Sequence, residues 1–358
     1  MSTVLVIGLG DMGERVAAGL AANGHVGRLV VASRSETTVR QAAAVIASAA
    51  DCLVEPAPVD ATRLDDVAAL LDRLRPDLIV QCASLRSPWA LADRADPAAK
   101  AVEAAGLALR LPYQIPVVRT VMRAVRETGL DAPVANLSLP DVTGPLLERE
   151  GLAPTLGLGN AGMILRRVRA ALRAADPDGE PPLVRVVAHH SQLSPVMLAA
   201  EPAPADRCRV HLGEDGRRDD AAAYRAPAID PGPRWNFLTA AATLPVLEAL
   251  LPESAAESTV LRWSVPAPGG LPGGYPVRIA GGAVELDLPP GESLEDAVAF
   301  NERMARGDGV ERIDPDGTVH FTDAAREAVA GLAPDLAEPL PLGDMDARAA
   351  LLDEVLGV

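Results

Sequence analysis

The sequence predicts an α/β protein: an N-terminal Rossmann domain with a doubly wound parallel sheet, then a second α+β domain built on a mixed sheet. Three observations carry this. The chain opens on an apolar strand, a Gly8-Leu9-Gly10-Asp11-Met12-Gly13 turn, a helical pattern and a second strand. Strand and helix signals then alternate to about residue 139 and give way to shorter strands, hairpin signals and Pro/Gly-rich loops. At 358 residues the chain exceeds what one core usually supports. The expected division is 1–135, 136–322 for substrate binding and dimerisation, and 323–358 as closing helices that pack back on the first domain.

In order, a strand over 3–8 leads to a helix near 12–22, and a strand over 28–32 to a helix near 37–48. A weak strand around Cys52-Leu53-Val54 precedes a helix over about 64–73. Pro76 to Cys82 reads as a buried parallel strand. A helix near 95–105, a strand over 107–111, a helix from Pro116 to about 128 and a strand over 134–139 complete the first domain. In the second, 160–174 and 236–250 read as helices, the latter ended by Pro252. Strands are expected at 183–189, 207–212 and 259–265, with a hairpin of 275–279 and 283–288 joined by Gly281-Gly282. The run Pro266 to Gly274 reads as a loop, either a lid or a surface connection. Helices over 294–305, 323–330 and 344–356 follow, the first two separated by turns at Gly307-Asp308-Gly309 and Asp314-Pro315-Asp316-Gly317.

Net charge is −16, from 33 Lys plus Arg against 49 Asp plus Glu, which speaks against broad nucleic-acid binding. Cys52, Cys82 and Cys208 are too widely spaced for a paired metal motif, and no metal is expected. The chain begins with its first strand and has no apolar run of membrane-spanning length, so the expectation is a cytoplasmic protein with reduced thiols and no membrane partner.

The glycine turn is read as a dinucleotide site. Gly8 turns the strand sharply, Gly10 admits the backbone to a pyrophosphate, and Gly13 lets helix and strand pack closely. Amides around Asp11 and Met12, at the helix N-terminus, face the phosphates. The second strand ends Ala32-Ser33-Arg34-Ser35, where an NAD site usually carries a carboxylate. Arg34 can pair with a 2′-phosphate to which Ser33 and Ser35 donate, so NADP is favoured over NAD. Asp60 either bonds at the adenine edge or caps the helix after it, and Ala83 and Ser84 fall near the nicotinamide half. A flavin or a purely regulatory dinucleotide would use much of the same machinery.

These segments, with Val59-Asp60-Ala61-Thr62 and Leu78-Ile79-Val80-Gln81-Cys82-Ala83, make residues 1–125 resemble the saccharopine dehydrogenase-like family of two-domain NADP-dependent amino-acid oxidoreductases. The resemblance implies interconversion of amines or amino acids with imines or carbonyl compounds. Where the family carries Gly-x-Tyr-x-Asp, this chain has Leu109-Arg110-Leu111-Pro112-Tyr113-Gln114.

Hydride transfer asks the protein for geometry and one proton carrier. His189 and His190, two of only five histidines, stand at a strand end. Alternation on a strand sends at most one into a cleft unless the strand breaks there, and His190 is favoured as nearer the loop. Asp141 is the other acid/base candidate, with Thr143 beside it to orient substrate. Asn160 in Gly157 to Gly162 either caps the following helix or binds ligand. Arg234 can clamp a substrate carboxylate and Asn236 can cap or bind, while Trp235 and Phe237 are expected to pack. Tyr113 and Gln114 are placed at the nicotinamide pocket, and Tyr275 over the cleft. Lys100 is the only lysine and falls in the first domain, so no second-domain lysine can carry the proton.

The reading is an NADP-dependent oxidoreductase, expected as a homodimer, acting on a small polar metabolite, an amino acid or its imine or carbonyl counterpart. The alternatives are an isomerase, epimerase or lyase working by transient oxidation, and a non-catalytic dinucleotide sensor.

Overall fold

A computed structural model describes residues 1–87, 89–91, 94–252 and 260–358. The first unit runs β1 (Ser2–Ile7), α1 (Asp11–Ala21), β2 (Val26–Ser33), α2 (Glu36–Ala47), β3 (Leu53–Pro58), α3 (Leu64–Leu74), β4 (Leu78–Gln81), α4 (Pro97–Ala104), α5 (Leu111–Glu127), β5 (Val134–Asn136), α6 (Pro140–Glu148) and β6 (Leu156–Gly157). Its six strands pair in parallel in the order β3-β2-β1-β4-β5-β6. The order reverses between β1 and β4, which opens a crevice beyond the carboxyl ends of those strands. β1 and β4 are buried along nearly their whole length because helices cover both faces, which is why both read as continuous apolar runs.

The second unit runs α7 (Asn160–Ala175), β7 (Val184–Val187), α8 (Leu193–Met197), β8 (Arg209–Leu212), β9 (Arg217–Arg218), α9 (Trp235–Leu250), β10 (Leu261–Pro266), β11 (Gly274–Ala280), β12 (Ala283–Leu286), α10 (Leu294–Ala305), β13 (Val310–Ile313) and β14 (Val319–Phe321). Its strand pairings are antiparallel, and a bridge from Ala188 to Gly274 links the β7-β8-β9 and β10-β11-β12 sheets. The chain closes with α11 (Asp323–Val329) and α12 (Met345–Leu356). Thr259, where the sequence reading starts the strand before Trp263, lies outside the described residues. No described helix is long and apolar enough to cross a membrane.

The structure corrects several expectations. The strand expected at 107–111 is a 3-10 turn over Leu107–Arg110 running into α5, so α5 begins before Pro116, not at it. A short apolar run fits a buried helix as well as a strand, and Pro112 in the first turn favours the helix. The strand expected over 134–139 ends at Asn136, and Pro140 already begins α6, so Asp141 and Thr143 lie on that helix. The segment 266–274 is not a lid. It joins β10 to β11, is mostly buried, and closes through Ala267 N–H to the Gly273 carbonyl at 2.7 Å. The strands β6, β9, β13 and β14 and the helix α8 are too short to show a period in sequence.

Two cores follow. One packs a sheet face against α1, α2, α7, α9 and the second unit's strands. The other packs the opposite face against α3, α4, α5 and the closing helices α11 and α12. Tyr113 lies on α5 facing α12, and its hydroxyl donates to Asp353 at 2.9 Å, beside an Arg86–Asp353 pair at 2.7 Å. It follows no strand, and what it touches is the closing helix. Tyr113→Phe is therefore expected to cost about 1 kcal/mol of stability, read as a lower thermal midpoint with cofactor affinity unchanged.

Candidate dinucleotide and acid–base site

The glycine turn is built by close approach. Gly8 has φ +99°, and a Cβ there would lie 2.5 Å from the Ala83 nitrogen. A Cβ on Gly13 would lie 1.9 Å from the Gly8 carbonyl oxygen. These two glycines let β1, α1 and the end of β4 meet. Gly10 differs: a Cβ there would meet nothing within 4 Å, so its face of the turn is open at the N-terminus of α1. The buried Gln81 fixes the next wall, accepting from Ala83 N–H at 2.6 Å and donating to its carbonyl at 2.9 Å. Ser84 donates to the Arg86 carbonyl at 2.8 Å. Met12 is partly buried against the core.

At the end of β2, Ser35 caps α2, accepting from Thr38 N–H at 3.2 Å and from the Thr38 hydroxyl at 2.9 Å. Its own O–H is left to donate outward. Ser33 ends β2, its carbonyl accepting from Val59 N–H at 3.0 Å. Arg34 is exposed and, among the described residues, held by no hydrogen bond or ion pair. Asp60 takes up the turn before α3, accepting from the Thr62 hydroxyl at 2.7 Å and Thr62 N–H at 3.1 Å. It caps that turn and not the helix, whose cap position is Arg63. Thr62, with Arg34 and Arg63 nearby, holds its carboxyl below the usual range despite partial burial.

Beyond the same sheet edge, four segments converge. β7 stops at Val187, so strand alternation does not govern the two histidines after it. His189 caps a 3-10 turn, and both rings reach one carboxylate: Nδ1 of His190 lies 3.0 Å and Nδ1 of His189 3.3 Å from Asp308. Both histidines thus face the same group, the case the sequence reading left open for a strand that breaks before them. Asp308 comes from the turn after α10 and is buried. Burial alone would raise its pKa, but His190 and His189 hold it well below the usual carboxylate range. For His190, burial opposes the charge, the Asp308 carboxylate outweighs it, Asp141 adds to the rise and Arg110 opposes it, leaving the pKa raised. With Asp308 ionised, Nδ1 of His190 carries the donated proton, and Nε2 is left for a reacting group.

Asp141 begins α6 and is 2% exposed. One of its oxygens accepts from the Asn160 side chain, and the other, Oδ1, is buried with no hydrogen-bond partner. Asn160 is not the α7 cap, a place taken by Gly159 at φ +102°. Two non-glycine residues with positive φ flank this site. Leu139 (φ 44°) precedes α6, and Ala267 (φ 42°) sits in the loop whose Gly273 N–H bonds the Asp141 carbonyl at 3.1 Å. His190, Asp141, Asp308, Leu107, Leu111 and Val142 enclose a small cavity.

Residues 4–95 match the saccharopine dehydrogenase NADP binding domain family. The match spans the glycine turn, Arg34, Asp60 and Ala83. No curated protein sequence matches the chain. In fold, the chain is similar to the malate dehydrogenase of Plasmodium falciparum, with a TM-score of 0.54 at 12% identity over 94% of this chain and 100% of that one. It is also similar to the apo malate dehydrogenase of Picrophilus torridus (0.53, 12%, 99% and 98%). A third is the lactate dehydrogenase of Cryptosporidium parvum complexed with lactic acid and nicotinamide adenine dinucleotide (0.53, 16%, 86% and 95%). At such identities the likeness is one of fold.

Other candidate residues of this chain sit elsewhere. Thr143 is fully buried, donating to the Ser138 carbonyl at 2.9 Å and accepting from Asn136 at 3.0 Å, so it braces the β5–α6 turn. Gln114 accepts from Ser138 at 2.7 Å and donates to the Arg86 carbonyl at 3.2 Å, tying two sheet-edge loops together. Asn236 donates to Asp11 at 2.6 Å, and Asp11 also pairs with Arg15 at 2.7 Å, a contact that joins α9 to α1. Arg234 is exposed at the start of α9. Trp235 packs, but Phe237 is 64% exposed with the Arg15 guanidinium 4.0 Å over its ring. Tyr275 does not cover the cleft: it is fully buried and donates to the Pro272 carbonyl at 2.7 Å. Burial pushes the Cys82 and Cys208 thiols up to about 12, and Cys52 is raised too, so none is an activated thiolate. Among the described residues no group of three His, Cys, Asp or Glu is arranged to hold a metal.

Sequence reading missed Asp308 and Arg110. Asp308 is 118 residues from His190 and sits in a segment that reads only as a turn. No local signal marks it.

Proposed function

We propose that this protein is an NADP-dependent oxidoreductase that moves a hydride to or from a small polar metabolite, an amino acid or its imine or carbonyl counterpart. The observation that carries the reading is the placement of a His–Asp pair beyond the same sheet edge as an open glycine turn. The residues fit the cofactor. Gly10 leaves room for a pyrophosphate, Ser35 has a hydroxyl to donate, and the Arg34 guanidinium is not engaged elsewhere. Bound there, the nicotinamide supplies the hydride chemistry.

The chain's own residues do the rest. Asp308 holds the His190 ring by Nδ1 and stabilises its charged form, so His190 keeps a proton for a nascent amine or alkoxide near neutral pH. Asp141 and Asn160 line the substrate side, with Asp141 Oδ1 free to accept one hydrogen bond. The three free thiols suit a reducing cytoplasm.

Paired titrations with NADP and NAD test the cofactor choice. Arg34→Ala is expected to weaken NADP binding by about 10- to 100-fold, the loss of one charge-assisted phosphate contact, and to leave NAD affinity unchanged. Equal NADP affinity before and after the change would remove Arg34 from the site.

A further inference from the structure

The chain pairs most of its arginines with carboxylates, but α7 carries an exception. Arg166, Arg169 and Arg173 recur at i, i+3 and i+7, so they share one face of the helix. Among the described residues, no ion pair or hydrogen bond reaches the side chain of any of the three. Arg169 and Arg166 stack on Trp263 of β10, their guanidinium carbons 4.7 Å and 5.3 Å from the ring centre. Nε of Arg166 is buried without a partner. Burial and the neighbouring arginines push the Arg166 and Arg169 pKa values down, with no acid acting in the other direction. In a chain of net charge −16, three adjacent cations without a counter-charge among the described residues are out of keeping.

The matching charge lies on the same segment. Directly after α7 come Asp176, Asp178 and Glu180, all exposed. No ion pair or hydrogen bond engages their side chains among the described residues, and none acts on the arginine stripe. Within one chain no ion pair joins the two sets among the described residues. A two-fold axis near Ala174 and Ala175 runs α7 antiparallel to its copy and removes the mismatch. Arg173 then meets the partner's Asp176, and Arg169 faces the partner's Asp178 and Glu180. The same contacts repeat on the other side, as an isologous interface requires. The exposed Ala170 and Ala174 let the helices approach. Trp and Arg are also the residue types that dominate interface energetics.

We propose that this face of α7, with the acidic turn after it, docks a second copy of the chain through reciprocal Arg–carboxylate pairs. The contact is independent of the cofactor reading and leaves the dyad untouched.

Sedimentation velocity across a salt series tests it. The wild-type chain should dimerise at low ionic strength and dissociate as salt rises. Arg169→Glu/Arg173→Glu and Asp176→Arg/Asp178→Arg should each weaken the dimer by about tenfold or more, with circular dichroism showing that both fold. Mixing the two variants should restore a dimer, because each supplies the charge the other lacks. A wild-type chain that stays monomeric up to about 100 μM overturns the proposal. So does a dimer indifferent to the reversals, or a mixture that fails to associate. Calorimetry with inorganic phosphate separates the other occupant: phosphate bound by a monomer and lost in Arg169→Glu/Arg173→Glu would make the stripe a small-anion site and not an interface.

Discussion

Gly13→Ala is expected to destabilise the protein by about 3 kcal/mol or more, whereas Gly10→Ala is expected to fold normally and lose its dinucleotide. A Cβ on Gly13 would sit 1.9 Å from the Gly8 carbonyl oxygen. That atom is backbone and cannot rotate away, so β1 and α1 must move apart. A Cβ on Gly10 meets nothing within 4 Å, and its φ of −92° suits alanine without strain. The new methyl occupies the space through which a pyrophosphate approaches, and NADP affinity should drop about 10- to 100-fold. Thermal denaturation separates the two variants, and fluorescence titration with NADPH reads the second. Undiminished NADPH binding by Gly10→Ala would mean that the open face of the turn does not hold the phosphates.

The second large effect falls on the dyad. His190→Ala is expected to lower turnover by about 10²- to 10⁴-fold, the range for losing a positioned acid or base, with little change in cofactor affinity. Asp308→Asn should act through His190. The carboxylate raises the His190 pKa, so its removal lets that pKa fall. In the reducing direction the reaction needs protonated His190, so activity is lost as pH rises through its pKa. In Asp308→Asn that alkaline limb should move to lower pH. A pH–rate profile with its alkaline limb unmoved in Asp308→Asn would separate the pair from the chemistry.

Stability follows the same linkage with definite signs. The folded His190 pKa lies above the ordinary value, so its contribution is fully present below about pH 6.5 and fades as pH rises through the folded value. Asp308 is depressed, so its contribution is present above about pH 4 and fades as pH falls through its folded value. Thermal midpoints measured across pH should therefore crest between these limits, and the crest should flatten in Asp308→Asn.

Much of the first unit is legible because each residue there answers to its chain neighbours. The β1 apolar run, the spacing of Gly8, Gly10 and Gly13, and the β2 ending at Arg34 report a strand, a turn and a helix that touch within a few residues. The expected strand at 107–111 fails for the opposite reason: Leu107, Leu109 and Leu111 are apolar because of what packs around them, and a buried helix asks for the same composition. Tyr275 shows the same limit, since a polar ring after a glycine-rich loop suits a cleft or a core equally until its neighbours are known.

The sequence by itself determined the parallel sheet, the glycine turn, the basic end of β2 and the absence of any second-domain lysine, because these depend on residue type and short spacing. Only the tertiary structure decided which groups meet His190. Asp308 reaches it across 118 residues, and Asp141 and Asn160 come from the starts of two different helices. A turn aspartate carries no mark of its partner. Its charge acquires meaning only when folding removes water from around it and sets an imidazole 3.0 Å away.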